Sequence, residues 1–417
     1  MQTEEMISSR QIAFETLYGV LYDNAYSNIE LDKMLSCIDE GKAFASRLVY
    51  GVIERKITLD YIIEQYCKKS KPKVKTILRM GTYQIYFMDK VPASAAVNES
   101  VKLAKDNGLS FYSGMINAVL HNIANNIIDI NLIDDLSIRY SIPQSLINML
   151  SKAYTQDRVK SFLPNINENA PVFAVPNYIK TDAEGLVSLL KNESINAQVL
   201  NDVVIIRTGC NITELNAYKK GLFHIQDLSC FNAVKALDIK AGETVLDVCA
   251  APGGKSFTAA SLSRNNAKIY SLDIHKHRVE LIKKGAERLG YSSVTADIND
   301  ACEVNENLPE CDKIICDVPC SGFGIIRRKP EIKYKDLDSI KELPVLQFKI
   351  LDASSKYLKK NGRLLYSTCT LNKRENEKVV ESFLDQNSGF VKISEKTVFP
   401  GENGADGFYY CVIERVK

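Results

Sequence analysis

Along the first third of the chain the apolar residues recur every three or four positions, the spacing that lines one face of an α-helix. Ile12, Ala13, Phe14, Leu17, Tyr18, Val20 and Leu21 form one such stripe, and Phe44, Leu48, Val49, Val52 and Ile53 another. Leu59, Ile62, Ile63 and Tyr66 make a third, followed by Ile77, Leu78, Met80, Tyr83, Ile85 and Tyr86. Val97, Val101, Leu103 and Ala104, then Met115, Ile116, Val119 and Leu120, complete the series. Pro72, Pro92, Gly81, Gly108 and Gly114 punctuate it as joints. The pattern predicts an all-α bundle over residues 1–140.

The texture changes over residues 141–235, which read as a linker and a small α+β module. Pro171-Val-Phe-Ala-Val-Pro-Asn predicts one strand and residues 198–207 a second. A helix is expected between them over 181–192, with Thr181 and Glu184 spaced as a capping box. From 236 to 417 strands and helices alternate. Strands are predicted over 244–249, 268–274, 294–298, 313–317, 362–367 and 409–415. Helices are expected over 254–263, 276–289, 341–358 and 374–386. Strands separated by helices make a parallel, doubly wound α/β sheet of Rossmann-like form, with its ligand cleft at the carboxyl ends of the strands.

Length and composition fit this division. A chain of 417 residues exceeds what one core organises, and 45% hydrophobic with 25% charged residues is ordinary for a globular protein. A net charge of +2 means that any nucleic-acid partner is held by local patches. The densest is Lys68, Lys69, Lys71, Lys73, Lys75 and Arg79, which reads equally as a solvated face or as a set of phosphate contacts. Eleven scattered cysteines, with no basic-then-apolar leader at Met1-Gln-Thr-Glu-Glu, point to free thiols in the cytoplasm. No apolar run is long enough to span a bilayer. The four histidines form no metal-ligand pattern, and His275 and His277 read as a solvated helix start, so no metal is expected.

Candidate chemistry gathers in the third region. Cys249-Ala250-Ala251-Pro252-Gly253-Gly254-Lys255 leaves the first strand and opens a helix, whose free N–H groups and glycines let a ligand approach. It lacks the G-x-G-x-x-G of a dinucleotide site. Gly254-Lys255-Ser256 matches the end of a P-loop, but the first glycine of that motif would fall on Cys249. S-adenosylmethionine, with a neutral adenosine and a cationic sulfonium, calls for carboxylates. Asp273, Asp297 and Asp317 supply them at the ends of successive strands. Cys320 and Cys369 follow the fourth and fifth strands, which should be neighbours, so both thiols should open into one cleft. Cys210, Cys302, Cys311 and Cys411 read instead as small core residues.

These motifs, Cys249-Ala-Ala-Pro-Gly-Gly-Lys255, Asp317-Val-Pro-Cys320-Ser-Gly and Ser367-Thr-Cys369-Thr, in this order, resemble the Sun-type family of RNA cytosine-5 methyltransferases. The likeness runs from Gly221-Leu-Phe-His-Ile-Gln-Asp227 to the end of the chain. Ser46-Arg-Leu-Val-Tyr-Gly-Val, Val97-Asn-Glu-Ser-Val-Lys102 and Met115-Ile-Asn-Ala-Val-Leu120 resemble the NusB-type RNA-binding domain. The combination implies methylation of C5 of one cytosine in 16S rRNA, with S-adenosylmethionine as cofactor and RNA as partner of a monomer. It implies Cys369 as the nucleophile toward C6, Cys320 as the aid to product release, and Asp317 against the cytosine edge. Arg327, Arg328, Lys329 and Lys333 are expected along the RNA backbone. Relatives carry Arg-Val-Asn where this chain has Val175-Pro176-Asn177, so one presumed RNA contact is missing. The same chemistry on tRNA, and an RNA-binding assembly or antitermination factor with a degenerate enzyme domain, are the alternatives.

Overall fold

The computed structural model describes residues 7–23, 27–207 and 211–417. The expectations for the leader and for Cys210 lie outside the described residues. The chain divides into two compact units, Met1–Asn148 with Lys329–Lys335, and Met149–Arg328 with Asp336–Lys417. Among the described residues no helix is long and apolar enough to cross a membrane.

The first unit is helical: α1 (Ser9–Tyr22), α2 (Ser27–Leu35), α3 (Lys42–Glu64), α4 (Pro72–Phe87), α5 (Ala93–Asp106), α6 (Ser113–Asn125) and α7 (Leu136–Tyr140). The apolar stripes face one core, in which Leu17, Val52, Ile62, Ile77, Val97 and Leu120 are fully buried. Two stripes expected on separate helices share the 23-residue α3, since no breaker stands between Ile53 and Leu59. The polar α2 escaped the pattern. Pro72 opens α4 and Pro92 caps α5, as punctuation requires. Gly81 is no joint. It lies inside α4, where a Cβ would press within 2.6 Å of the Leu120 side chain.

The basic stretch splits by role. Arg79 is buried and its Nε and Nη2 donate to Asp60 at 2.7 and 2.8 Å, while Lys75 pairs with Asp60 and Glu64. Lys68, Lys69, Lys71 and Lys73 remain exposed. Lys333 also belongs to this unit, with its Nζ donating to the Glu54 carbonyl at 2.5 Å and its side chain buried.

The chain passes through α8 (Gln144–Ala153) and α9 (Gln156–Phe162) into a four-stranded antiparallel sheet of β1 (Val172–Pro176), β2 (Ala197–Leu200), β3 (Val203–Ile206) and β4 (Phe223–Ile225). Short helices α10 (Ala183–Asn192) and α11 (Asn216–Lys219) connect them. The single strand expected over 198–207 is a hairpin, because Asn201 takes φ 55° and turns the chain between β2 and β3. Asp182 rather than Thr181 caps α10, accepting from Gly185 N at 2.8 Å. Val175 is fully buried in the core, and the Asn177 side chain donates to the Gly221 and Leu289 carbonyls. These positions therefore hold the fold together.

After α12 (Leu228–Lys235) comes the main sheet: β5 (Thr244–Asp247), α13 (Gly254–Leu262), β6 (Lys268–Asp273), α14 (Lys276–Leu289), β7 (Val294–Ile298), β8 (Cys311–Asp317), α15 (Leu343–Ser355), β9 (Leu358–Thr368), α16 (Glu377–Gln386), β10 (Phe390–Val398) and β11 (Phe408–Arg415). Their order across the sheet is β10-β11-β9-β8-β5-β6-β7. Five strands are parallel, β11 runs antiparallel to β9 and the edge strand β10 antiparallel to β11, so the sheet is mixed. The edge strand β10 escaped the sequence pattern because its outer positions are mostly exposed. The central β8 has apolar side chains toward both covered faces, as a parallel interior strand must. Cys311 and Cys411 are buried, whereas Cys302 is half-exposed.

Candidate active site

The register of β8 against β9 sets Asp317 opposite Ser367. Cys320 lies three residues beyond one strand end and Cys369 two beyond its partner in the register, so adjacent parallel strands deliver both thiols to one place. Their Sγ atoms are 3.2 Å apart, within sulfur hydrogen-bonding distance, and both residues are half-buried. The hydrogen bond from Cys320 lowers the Cys369 thiol pKa below its ordinary value, with Lys255 adding to the effect against burial and Asp317. The same bond, with burial, pushes Cys320 well up. Of the two thiols, Cys369 is therefore the one favoured as thiolate.

Lys255 reaches the same strand ends. Its Nζ lies 2.6 Å from Asp317 Oδ2, and Ser367 Oγ donates to Asp317 Oδ1 at 2.8 Å. The lysine is turned to a carboxylate, and Ser256 Oγ donates to the buried Asp247 at 2.7 Å. Both oxygens of Asp317 are engaged, each with a lone pair left for a further donor.

The loop Cys249 to Gly254 lies beside these groups, with Ala250 and Ala251 buried and Gly253 at φ 109°, where a side chain would strike the Phe257 ring. Asp247 Oδ1 is buried without a hydrogen-bond partner among the described residues, and burial pushes its carboxyl up to about 7. Asp273 is buried, accepting from His275 N at 3.0 Å and facing Arg278 at 3.2 Å. Arg278 also donates to the Ala251 carbonyl, which ties the loop to α14. Asp297 is exposed near the end of β7, with one oxygen taken by Ile298 N. Carboxylates at consecutive strand ends, one with an unpartnered oxygen, fit a cationic ligand carrying a ribose.

Not every expected residue joins the site. The Arg327 side chain is buried against Asp406 at 2.8 Å and bonds the Gly404 and Ala405 carbonyls. Arg328 pairs with Asp406 and Asp227. Arg327 and the buried Lys333 are internal supports, while Arg328, though paired, and Lys329 are exposed. His275 and His277 are exposed at the start of α14. Sequence reasoning missed the framework around the thiols. Gly324 N donates to the Cys369 carbonyl at 2.9 Å, and Gly407 N donates to the Gly324 carbonyl at 2.9 Å. A Cβ on Gly324 would fall 1.9 Å from that Gly407 carbonyl, so only glycine permits the three loops to meet.

A mixed seven-stranded Rossmann-like sheet, acid-tipped beside a Gly-Gly loop, defines the methyltransferase class. The family model for 16S rRNA methyltransferase RsmB/F matches residues 234–414, and that for the NusB family matches residues 7–125. The chain is 34% identical to the "probable ribosomal RNA small subunit methyltransferase B" of Bacillus subtilis, over 98% of this chain and 99% of that protein. Its identity to the protein of the same description from Synechocystis is 31%, over 98% of this chain and all of that one. A solved structure, that of PH0851, superposes with a TM-score of 0.81 at 24% identity, covering 98% of this chain and 99% of that one. The chain belongs to the ribosomal RNA small subunit methyltransferase B family, whose members depend on S-adenosylmethionine.

Proposed function

We propose that this chain methylates C5 of a cytosine in 16S rRNA through a covalent bond between Cys369 and C6 of the base. The observation that carries the reading is the polarised thiol pair, 3.2 Å between sulfurs, beside Lys255. Cytosine C5 is a weak nucleophile, and a thiolate added at C6 pushes electrons toward C5. Of the two thiols, Cys369 is the one whose pKa is lowered. Asp317, steadied by Lys255 and Ser367, faces the base edge with its remaining acceptor capacity and favours a protonated ring, which draws the addition forward.

Residues 249–255, with Asp273 and Asp297, hold S-adenosylmethionine, and Asp317 lies at the boundary of cofactor and base. When bound, the cofactor supplies an electrophilic methyl group to C5. Once Cys369 is tied up at C6, the like charge that kept Cys320 protonated is gone. Cys320 gives up its proton to solvent and is then free to take the proton from C5 as the C6–S bond breaks, regenerating the Cys369 thiolate. The base must leave its stack to reach the thiols. Residues 1–140 and 141–235 serve RNA engagement, and residues 236–417 carry the catalysis.

The test has two parts. Bisulfite sequencing of rRNA and tRNA from a strain lacking the protein should lose one 16S methylcytosine, while loss in tRNA alone would move the substrate, and no loss would sink the enzymatic reading. With purified protein, Cys320→Ala should accumulate an SDS-resistant RNA adduct and Cys369→Ala should form none. An adduct persisting in Cys369→Ala would reverse the two roles.

A further inference from the structure

One carboxylate beside the thiols touches neither of them. Glu375 lies in the turn before α16, six residues after Cys369, and its side chain is fully buried. Among the described residues its oxygens accept four hydrogen bonds, all from neutral donors. Ser321 N at 2.8 Å and Gln347 Nε2 at 3.1 Å reach Oε2, while Ser321 Oγ at 2.6 Å and Asn372 Nδ2 at 2.8 Å reach Oε1. Removing a carboxylate from water without a cation beside it is unfavourable unless its lone pairs are filled, and here they are filled.

The identity of the donors gives the grip its meaning. Ser321 follows Cys320 directly. Gln347 uses the same Nε2 to hold the Pro319 carbonyl at 2.9 Å, so the residues on both sides of Cys320 are bound to one Glu375–Gln347 unit. Ser321 Oγ also lies 2.7 Å from Thr370 Oγ1, and Thr370 follows Cys369 directly. The Glu375 backbone carbonyl accepts from Tyr366 OH at 2.6 Å, anchoring the carboxylate to β9. Neighbouring Asn376 donates to the Thr370 carbonyl at 2.9 Å. Both thiol loops are therefore referenced to one turn.

We infer that Glu375 is a positioning residue that sets Cys320 for product release, acting through Ser321 and Gln347. The inference rests on the roles proposed above for the two cysteines. An amide at this position keeps the shape but offers one acceptor oxygen, and its NH2 must confront either Ser321 N–H or the donors on the other side. The Cys320 loop then loses part of its anchor, while the Cys369 loop keeps the two bonds of Asn376, to Thr368 Oγ1 and to the Thr370 carbonyl, which do not pass through the Glu375 carboxylate. Attack survives better than release.

The test is adduct trapping with both cysteines intact. Glu375→Gln should lower multiple turnover at least tenfold while accumulating SDS-resistant protein–RNA adduct in the presence of S-adenosylmethionine. Glu375→Asp, which keeps the charge, should recover part of the turnover and lose part of the adduct. Gln347→Leu, which releases Pro319 and takes one donor from Glu375 but leaves both Ser321 bonds, should show the same phenotype more weakly and serves if Glu375→Gln does not fold. Turnover lost without adduct in a variant that melts like wild type, or turnover unchanged, would overturn the inference. Cys320→Ala run alongside separates the two failures. If it traps adduct and neither the Glu375→Gln nor the Gln347→Leu protein does, the positioning role alone is wrong. If Cys320→Ala itself traps nothing, the assignment of release to Cys320 falls, and this inference falls with it.

Discussion

Each unit of the molecule buries a lysine, and the two are treated in opposite ways. In the catalytic unit, burial works against the charge of Lys255, but Asp317 at 2.6 Å more than reverses this and the pKa is raised. In the helical unit, burial pulls Lys333 down to about 7, only partly opposed by Glu54 and aided by Arg55 and Lys56. The Nζ of Lys333 meets a backbone carbonyl, while Tyr334 alongside donates to the Ile53 carbonyl at 2.9 Å. The difference lies in the partner. A carboxylate in contact keeps a buried ammonium charged, while a carbonyl satisfies a hydrogen bond without cancelling the charge. The catalytic unit thus keeps a permanent cation beside its thiols, and the helical unit holds its lysine near neutrality to fasten a seven-residue segment.

The sharpest way to break this comparison is Lys255→Met. It removes the cation that favours the Cys369 thiolate and leaves Asp317 unpaired. Single-turnover methylation of a 16S rRNA transcript should fall by about 10²–10³-fold, the usual loss for one electrostatic group in an active site. The acid limb of the rate profile should move to higher pH, because the thiolate of Cys369 loses part of its support. A profile unmoved on the pH axis would mean that Lys255 serves only to fasten Asp317.

Lys333→Met probes the other member. The unfolded chain holds a proton on this lysine up to about 10.5 and the folded chain only below about 7, so the unfolded state binds more protons between those values. Stability of the wild type should therefore rise with pH across that window, by up to ~1.4 kcal/mol per pH unit from this group. Denaturant titrations of the full chain, followed by a probe in the helical unit, should show this slope in the wild type and not in Lys333→Met. Equal slopes would show that the ammonium is accommodated as charged.

The smallest expected effect separates two groups in the catalytic unit. His224 is buried, held near 3 by burial and Arg288, with its Nε2 3.0 Å from Thr258 Oγ1. Its folded pKa lies below the unfolded one, so its contribution is lost as pH falls through 6.5 toward 3. Asp247, raised to about 7, contributes in the opposite sense, since its stabilisation is lost as pH rises from 3.8 to 7. Between about 4 and 6.5 the two nearly cancel. His224→Gln should uncover the Asp247 slope, seen as a stability difference from wild type that grows in favour of the variant as pH is lowered from 6.5 to 4.5. A pH-independent difference would mean that the histidine is not held neutral.

Much of the helical unit was legible in sequence because a 3.6-residue period and prolines at helix starts are local properties. The alternation that gave the Rossmann-like sheet was legible for the same reason, and so were the thiols at neighbouring strand ends. The failures share a cause. Residues 198–207 read as one strand because Asn201 looked like any polar residue, and its positive φ is a property of the pairing around it. Arg327 and Lys333 looked like part of an RNA-facing patch because a run of cations normally stays solvated. Their partners, Asp406 and the Glu54 carbonyl, come from far along the chain. Glu375 passed as the polar start of a helix, since nothing within its own sequence neighbourhood announces Ser321 as its donor.

The sequence by itself determined most of the helices and the parallel strands, that carboxylates and two cysteines end neighbouring strands, and which family the motifs resemble. Periodicity and strand-end position carry that information because they depend on a residue and its near neighbours. Only the tertiary structure decided which charges are paired and which of the two thiols has the lower pKa. The 3.2 Å between sulfurs, the Asp317 contact that keeps Lys255 charged and the Glu375 grip on Ser321 all join residues tens of positions apart. A pKa or a loop position depends on distance and burial, and those exist only once the chain has closed on itself.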